Sequence, residues 1–129
     1  MGTVSQEPAS KMIENVVPIL NVKDLSVSLS YYEQALGFTE DWTTGDFACV
    51  SRDRHCLYIC EGNQGNPGTW IWIGVEDVDK LYQECLANGA EIDGEMVNNP
   101  WAREFRVADP DGHMIRFGGE PQTDPDHTT

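Results

Sequence analysis

Two periods of apolar and polar residues alternate along this chain, and the switches between them mark out its elements. Residues 16–22 form a short apolar run interrupted by Pro18, which suits an edge, a bulge or a chain crossing better than a central strand. Asp24 stands at a helix cap, and Leu25, Leu29, Tyr32 and Leu36 recur at i, i+4, i+7 and i+11, one helical face. Gly37 supplies the stop. Residues 38–43, 47–51 and 55–60 then read as three strands in meander order, turned at Gly45-Asp46 and at Arg52-Asp53-Arg54.

The plan repeats after residues 61–68, a non-periodic piece with three glycines, one proline and two asparagines. Residues 70–75 form a strand. Asp77 caps a helix with Val78, Leu81, Tyr82, Cys85 and Leu86 on its apolar face, and Gly89 ends it. Residues 92–97 form a weak strand. A hairpin follows over residues 99–117, turned at Asp109-Pro110-Asp111-Gly112, with Phe105, Val107, Ile115 and Phe117 on its apolar side. Val22-Lys23-Asp24-Leu25 heads the first helix and Val75-Glu76-Asp77-Val78 the second; the offset from Asp24 to Asp77 is 53 residues. Repetition of one supersecondary unit predicts an α+β chain of two βαβββ modules. One helix covers only one face of its strands, so the paired modules should form a cupped mixed sheet, with helices on the outer face and the other face curved around a space. The expected division is a tail over 1–15, a single domain over 16–120 with modules at about 16–61 and 69–119, and a second tail over 121–129.

Composition narrows the chemistry. The 129 residues suffice for one domain, and 40% are hydrophobic. No apolar run is long enough to span a membrane, and the first fifteen residues lack the apolar centre of an export signal, so a cytoplasmic protein with reduced thiols is expected. Eight basic residues against 22 acidic ones give a formal charge of −14, which argues against nucleic acid and suits a cationic ligand. Cys49, Cys56, Cys60 and Cys85 form no Cys-x-x-Cys pair, and Cys56 and Cys60 alternate with Leu57 and Ile59 as small buried side chains would. There is no phosphate loop and no Gly-x-Ser-x-Gly turn.

The paired units, Val22-Lys23-Asp24-Leu25, the run from Tyr31-Tyr32 to Leu36-Gly37-Phe38, and Asp109-Pro110-Asp111-Gly112-His113 resemble the vicinal oxygen chelate superfamily. That group holds glyoxalases, extradiol dioxygenases, fosfomycin-modifying enzymes and bleomycin resistance proteins. Gly45-Asp46-Phe47-Ala48 with Ser51-Arg52-Asp53, Trp70-Ile71-Trp72-Ile73, and above all Pro100-Trp101-Ala102-Arg103-Glu104-Phe105 are most similar to the bleomycin resistance proteins. The resemblance covers about residues 16–120.

The metalloenzymes of that superfamily take His, Glu or Gln ligands from the first, fifth and last strands. Carried over, those positions fall on Val17, Trp70 and Arg116, none of them a ligand, and the charge of an arginine repels a cation. No metal and no cofactor is therefore expected there. His113 is expected to serve its turn, His55 stands alone at a strand start, and His127 lies in the tail. Trp70 and Trp72 share a face and should point into the cup, with Ile71 and Ile73 toward the helices. With Trp42, Phe47 and Trp101 near its mouth, the cup should stack flat ligands and hold cations over ring faces. Tyr58, Cys60 and Arg116 complete the expected ligand contacts, Arg116 meeting a polar part of the ligand or being neutralised by Glu104. Asp46 and Asp53 add negative potential.

The resemblance implies a non-catalytic protein that sequesters a planar cationic antibiotic of the bleomycin type. It also implies a homodimer with an exchanged first strand, Pro18 standing at that family's strand proline. The alternative is a metal-independent enzyme of the same superfamily, using Glu104, His55 or Tyr58 as acid or base on a small metabolite.

Overall fold

The computed structural model describes residues 12–123. Eleven elements follow the repeated plan: β1 (Ile19–Asn21), α1 (Leu25–Gln34), β2 (Thr39–Thr44), β3 (Phe47–Arg52), β4 (His55–Cys60), β5 (Trp70–Gly74), α2 (Val78–Ala87), β6 (Glu91–Ile92), β7 (Val97–Asn98), β8 (Arg103–Ala108) and β9 (Met114–Gly119). The first sheet has the order β1-β4-β3-β2. The second runs β5-β9-β8-β6, with β7 also paired to β8. In both, the strand before the helix lies parallel to the last strand of its module, and the remaining pairs are antiparallel. Together β6 and β7 take the place that β2 holds in the first module, so the single weak strand expected over 92–97 is two short pieces. The Gly94-containing segment between them leaves the ladder, with Gly94 at φ 86°.

The cap residues act as their types dictate. The Asp24 carboxylate accepts from the Val27 N–H, and that of Asp77 from the Lys80 N–H. Asp24 is held below the usual carboxylate range by its bonds from Ser26 and Val27. Gly37 and Gly89 take φ of 74° and 81° after the helix ends, a conformation an L side chain resists. The Asp109 turn closes with Gly112 N–H donating to the Asp109 carbonyl and Asp109 N–H to the His113 carbonyl, a type I turn completed by a left-handed glycine. Asp53 and Arg54, at φ 51° and 73°, make the tight turn between β3 and β4 without any glycine.

Alternation sorts each strand. Leu20, Ala48, Val50, Leu57 and Ile59 of the first sheet, and Phe105, Val107, Ile115 and Phe117 of the second, are buried in one apolar cluster with Leu25, Tyr32, Leu36, Val78 and Cys85 from the helical segments. Leu29 is only half-buried and Ser28 takes the buried place beside Tyr32, so the buried stripe of α1 is rotated from the apolar spacing. Polar bonds tie the modules together. The Tyr32 hydroxyl donates to the Asp109 carboxylate at 2.7 Å, and the Tyr31 hydroxyl donates to the Ala108 carbonyl at 2.8 Å. Burial, then the Asp109 charge, pushes the Tyr32 phenol well up. Arg52 of β3 pairs with Glu84 of α2 at 2.8 Å.

His113 does more than serve its turn. It is fully buried, accepts from the Thr69 N–H through Nδ1 at 2.9 Å, and its Nε2 meets the Asn21 carbonyl at 2.6 Å, bridging both modules. The acceptor role of Nδ1 leaves Nε2 as the donor.

Candidate functional site

The faces turned away from the helices carry the aromatic residues. On the first sheet, Trp42, Phe47 and Tyr58 form one group. Trp42 stacks on Phe47 with centroids 6.1 Å apart and planes 11° apart, and Tyr58 leans on both at 5.7 and 5.3 Å. Cys60, at the end of β4, is buried, and its sulfur accepts from the Gly62 N–H.

The second sheet carries the other group. Trp70, Trp72 and Trp101 are 57%, 52% and 71% exposed, while Ile71 and Ile73 pack toward the core. Trp72 lies flat across β9. A Cβ built on Gly118 would meet its ring at 2.5 Å and one on Gly74 at 3.0 Å, so these glycines make the seat for the indole. β9 continues through Gly118 and Gly119, past the Phe117 end that alternation suggests, paired with Gly74 of β5 and with Glu104 and Arg103 of β8. Between Trp72, Trp101, Val75, Gly119, Glu120 and Pro121 lies an open cleft of about 560 Å³, the size of a small-molecule site. Trp70 stands under the Arg106 guanidinium, 6.0 Å from the ring centroid, and Arg106 pairs with Asp93 at 3.2 Å.

Arg116 anchors the floor of this face. It lies opposite Trp72 on β5 and Arg106 on β8. Its Nε and Nη2 both donate to Glu104 Oε1, at 3.0 and 2.7 Å. The other oxygen of Glu104 accepts from Trp101 Nε1 and Asn99 Nδ2, each at 3.3 Å. Burial pushes this carboxyl up, but the Arg116 guanidinium and the two neutral donors outweigh it and hold the group below the usual carboxylate range. The pair thereby fixes the indole that walls the cleft.

Of the three positions onto which the resemblance carries the superfamily's metal ligands, the side chains of Val17 and Trp70 offer no lone pair for a cation, and Arg116 offers only donors. These residues do not fit a metal. The strand pairing adds one position: Tyr58 in the first module matches Arg116 in the second, since Val22 N–H donates to the Cys60 carbonyl as Val75 N–H does to that of Gly118.

The site residues therefore fall into two groups. Trp42, Phe47, Tyr58 and Cys60 share the first sheet; Trp70, Trp72, Trp101 and Arg116 share the second. Among the described residues no ring of one group touches a ring of the other. Pro18 precedes β1, and its carbonyl accepts from Tyr58 N–H, so the first strand is paired with β4 of its own chain. His127 lies outside the described residues. Sequence reasoning passed over Gly118 as the seat of Trp72, although its small size beside a tryptophan strand was a usable signal. It also passed over Asp41 and Cys49. Cys49 lies beside Cys56 and Asp41 on the open face of the first sheet, and burial, then those two neighbours, pushes its thiol up to about 12.

The family model that matches is the Glyoxalase/Bleomycin resistance protein/Dioxygenase superfamily, over residues 13–117. The bleomycin resistance proteins of Geobacillus stearothermophilus and Staphylococcus aureus are each 30% identical over 123 aligned positions, covering 78% of this chain and 92% of the relative. Among solved structures, the bleomycin-binding protein of bleomycin-producing Streptomyces verticillus, complexed with copper(II)-bleomycin, superposes at a TM-score of 0.69. It is 29% identical, covering 86% of this chain and all of that one. The bleomycin resistance determinant of transposon Tn5 gives a TM-score of 0.73 at 18% identity over 84% of this chain and 98% of that one, a likeness of fold.

Proposed function

We propose that this chain, which belongs to the Glyoxalase/Bleomycin resistance protein/Dioxygenase superfamily, is a non-catalytic binding protein that sequesters a planar cationic antibiotic of the bleomycin type. The observation that carries the reading is the cleft beside Trp72 and Trp101, walled by exposed indoles over a floor of Gly118 and Gly119. Flat aromatic walls stack flat ligands and attract cations over their faces. The net charge of −14 draws a cation toward them. Relatives that resist or bind bleomycin support the same choice of ligand.

Glu104 supports binding over acid–base catalysis. A carboxylate already taken up by Arg116, Trp101 and Asn99 has no free lone pair aimed at a substrate proton. Its role in this reading is to hold Trp101 and Arg116 in place.

Among the described residues, neither open sheet face meets an opposite aromatic wall within the chain. A second copy would supply it, giving a homodimer in which each ligand lies between sheets of different chains. Exchange of the first strand would replace the β1–β4 bonds by equivalent ones to the partner, with Pro18 at the hinge.

Titration calorimetry with a bleomycin, beside an unrelated cationic dye, tests the binding. Micromolar or tighter affinity with quenched tryptophan fluorescence is expected for bleomycin, and Trp72→Ala or Trp101→Ala should weaken it by about 1–2 kcal/mol. No heat and no quenching with any bleomycin would end this reading. Sedimentation of the same sample as a 14.4 kDa species alone would end the dimer.

A further inference from the structure

A second cluster of ligating side chains lies on the open face of the first sheet, built by a break in its ladder. The β2–β3 register shifts between the Glu40–Val50 and Trp42–Cys49 pairs, and Asp41 is the residue left over. Such a bulge re-aims side chains. Here two consecutive ones reach the same face: Trp42 stacks on Phe47, while Asp41 turns to Ser51 and Cys49. Cys56, directly opposite Ser51 on β4, adds a second thiol.

We propose that Asp41, Cys49 and Cys56 form a binding site for a thiophilic divalent cation of the zinc type, held by two thiolates and one carboxylate with a fourth position open. The ligand atoms of the three residues lie within 4.8 Å of one another. A tetrahedral ion about 2.3 Å from sulfur and about 2.0–2.2 Å from oxygen requires a sulfur–oxygen separation of about 3.5–3.7 Å. Cys49 Sγ and Asp41 Oδ2 are 3.7 Å apart. The other carboxylate oxygen, Oδ1, accepts from Ser51 Oγ at 3.0 Å, which leaves Oδ2 aimed at the thiol, as an outer partner of a ligating carboxylate does.

Access is graded in the direction an entering ion needs. Cys49 is buried, Cys56 half-buried and Asp41 exposed. Thiolate selects zinc-like ions over magnesium or calcium, which prefer oxygen alone. On binding, each thiol gives its proton to solvent, so the dication meets three negative ligands and the site keeps one negative charge. Tyr58, the residue opposite Cys49, lies on the same face of the sheet. These residues lie on the three consecutive strands β2, β3 and β4 of the first sheet, whereas Trp70 and Arg116 lie on the second.

The test uses the full chain, reduced, stripped with a chelator and kept free of oxygen. Cadmium is titrated in, and sulfur-to-cadmium charge transfer is followed in the ultraviolet. One equivalent should saturate the band, and magnesium should neither produce nor compete with it. Cys49→Ser and Cys56→Ser should each remove most of the absorption, and Asp41→Asn should weaken binding about 10–100-fold. Cys85→Ala and Trp101→Ala should leave the titration unchanged, the latter separating this site from antibiotic binding. If Cys49→Ser fails to fold, the half-buried Cys56→Ser carries the test. Absence of the band in reduced protein overturns the proposal, as does a band that survives in Cys56→Ser. So does a Cys49–Cys56 disulfide formed in air by a protein that binds no cadmium when reduced.

Discussion

The two sheets have one topology and two open faces of different chemistry. On the first, three rings close on one another around Tyr58, and a carboxylate and two thiols lie beside them. On the second, the matching strand position holds Arg116, the rings stay apart, and the ion pair of Arg116 with the buried Glu104 fixes one of them. The strand before the linker ends in Cys60, with a side chain in place. Its counterpart Gly118 has none, and an indole occupies the space. A duplicated backbone thus sets where side chains point, while their size and charge decide whether a face fills itself or is left open for a ligand.

Uncoupling the modules should disturb both faces at once. His113→Ala removes a fully buried ring together with its bonds to Thr69 and Asn21. A loss of about 3 kcal/mol in urea unfolding is expected, with both faces losing their ligands together. Retained stability would mean that the faces are held independently.

Arg116→Met separates the faces instead. Glu104 stays buried without its charge partner, at a cost of about 2 kcal/mol, below the value for a closed pair because Arg116 is more than a third exposed. The carboxyl lies below its ordinary 4.5 in the folded chain, so its contribution is present above the unfolded value and lost as pH falls through the folded one. In the variant burial wins and the carboxyl rises, so acid unfolding monitored by circular dichroism should begin at higher pH than in the parent. An unchanged acid limb would show that the pair does not govern it. Cadmium binding on the first sheet should persist.

Gly118→Ala sharpens the difference at one atom. The new Cβ forces the Trp72 ring off β9, at about 1 kcal/mol, with a change in tryptophan emission and a weaker antibiotic complex. Unaltered emission would show that the ring had room to spare.

Much of this architecture is legible in the chain. Asp24, Asp77, Gly37 and Gly89 bound the helices because caps and left-handed glycines act through local backbone chemistry. Trp70 and Trp72 share a face because strand side chains alternate. The bulge was hidden, since 39–44 carries no alternation and every residue in it is exposed. The closeness of Cys49 and Cys56 follows once the Asp53–Arg54 turn sets the register, but Asp41 joins them only through the bulge.

Residues near one another in the chain determine the repeated unit, its caps and turns, and the direction of strand side chains wherever alternation is unbroken. Tertiary structure alone decided the rest. It seated Trp72 on Gly118, locked Glu104 between Arg116 and Trp101, made His113 a bridge, and brought Asp41 to two thiols. Each of these is a contact between strands or modules, and its distance depends on how the surfaces pack.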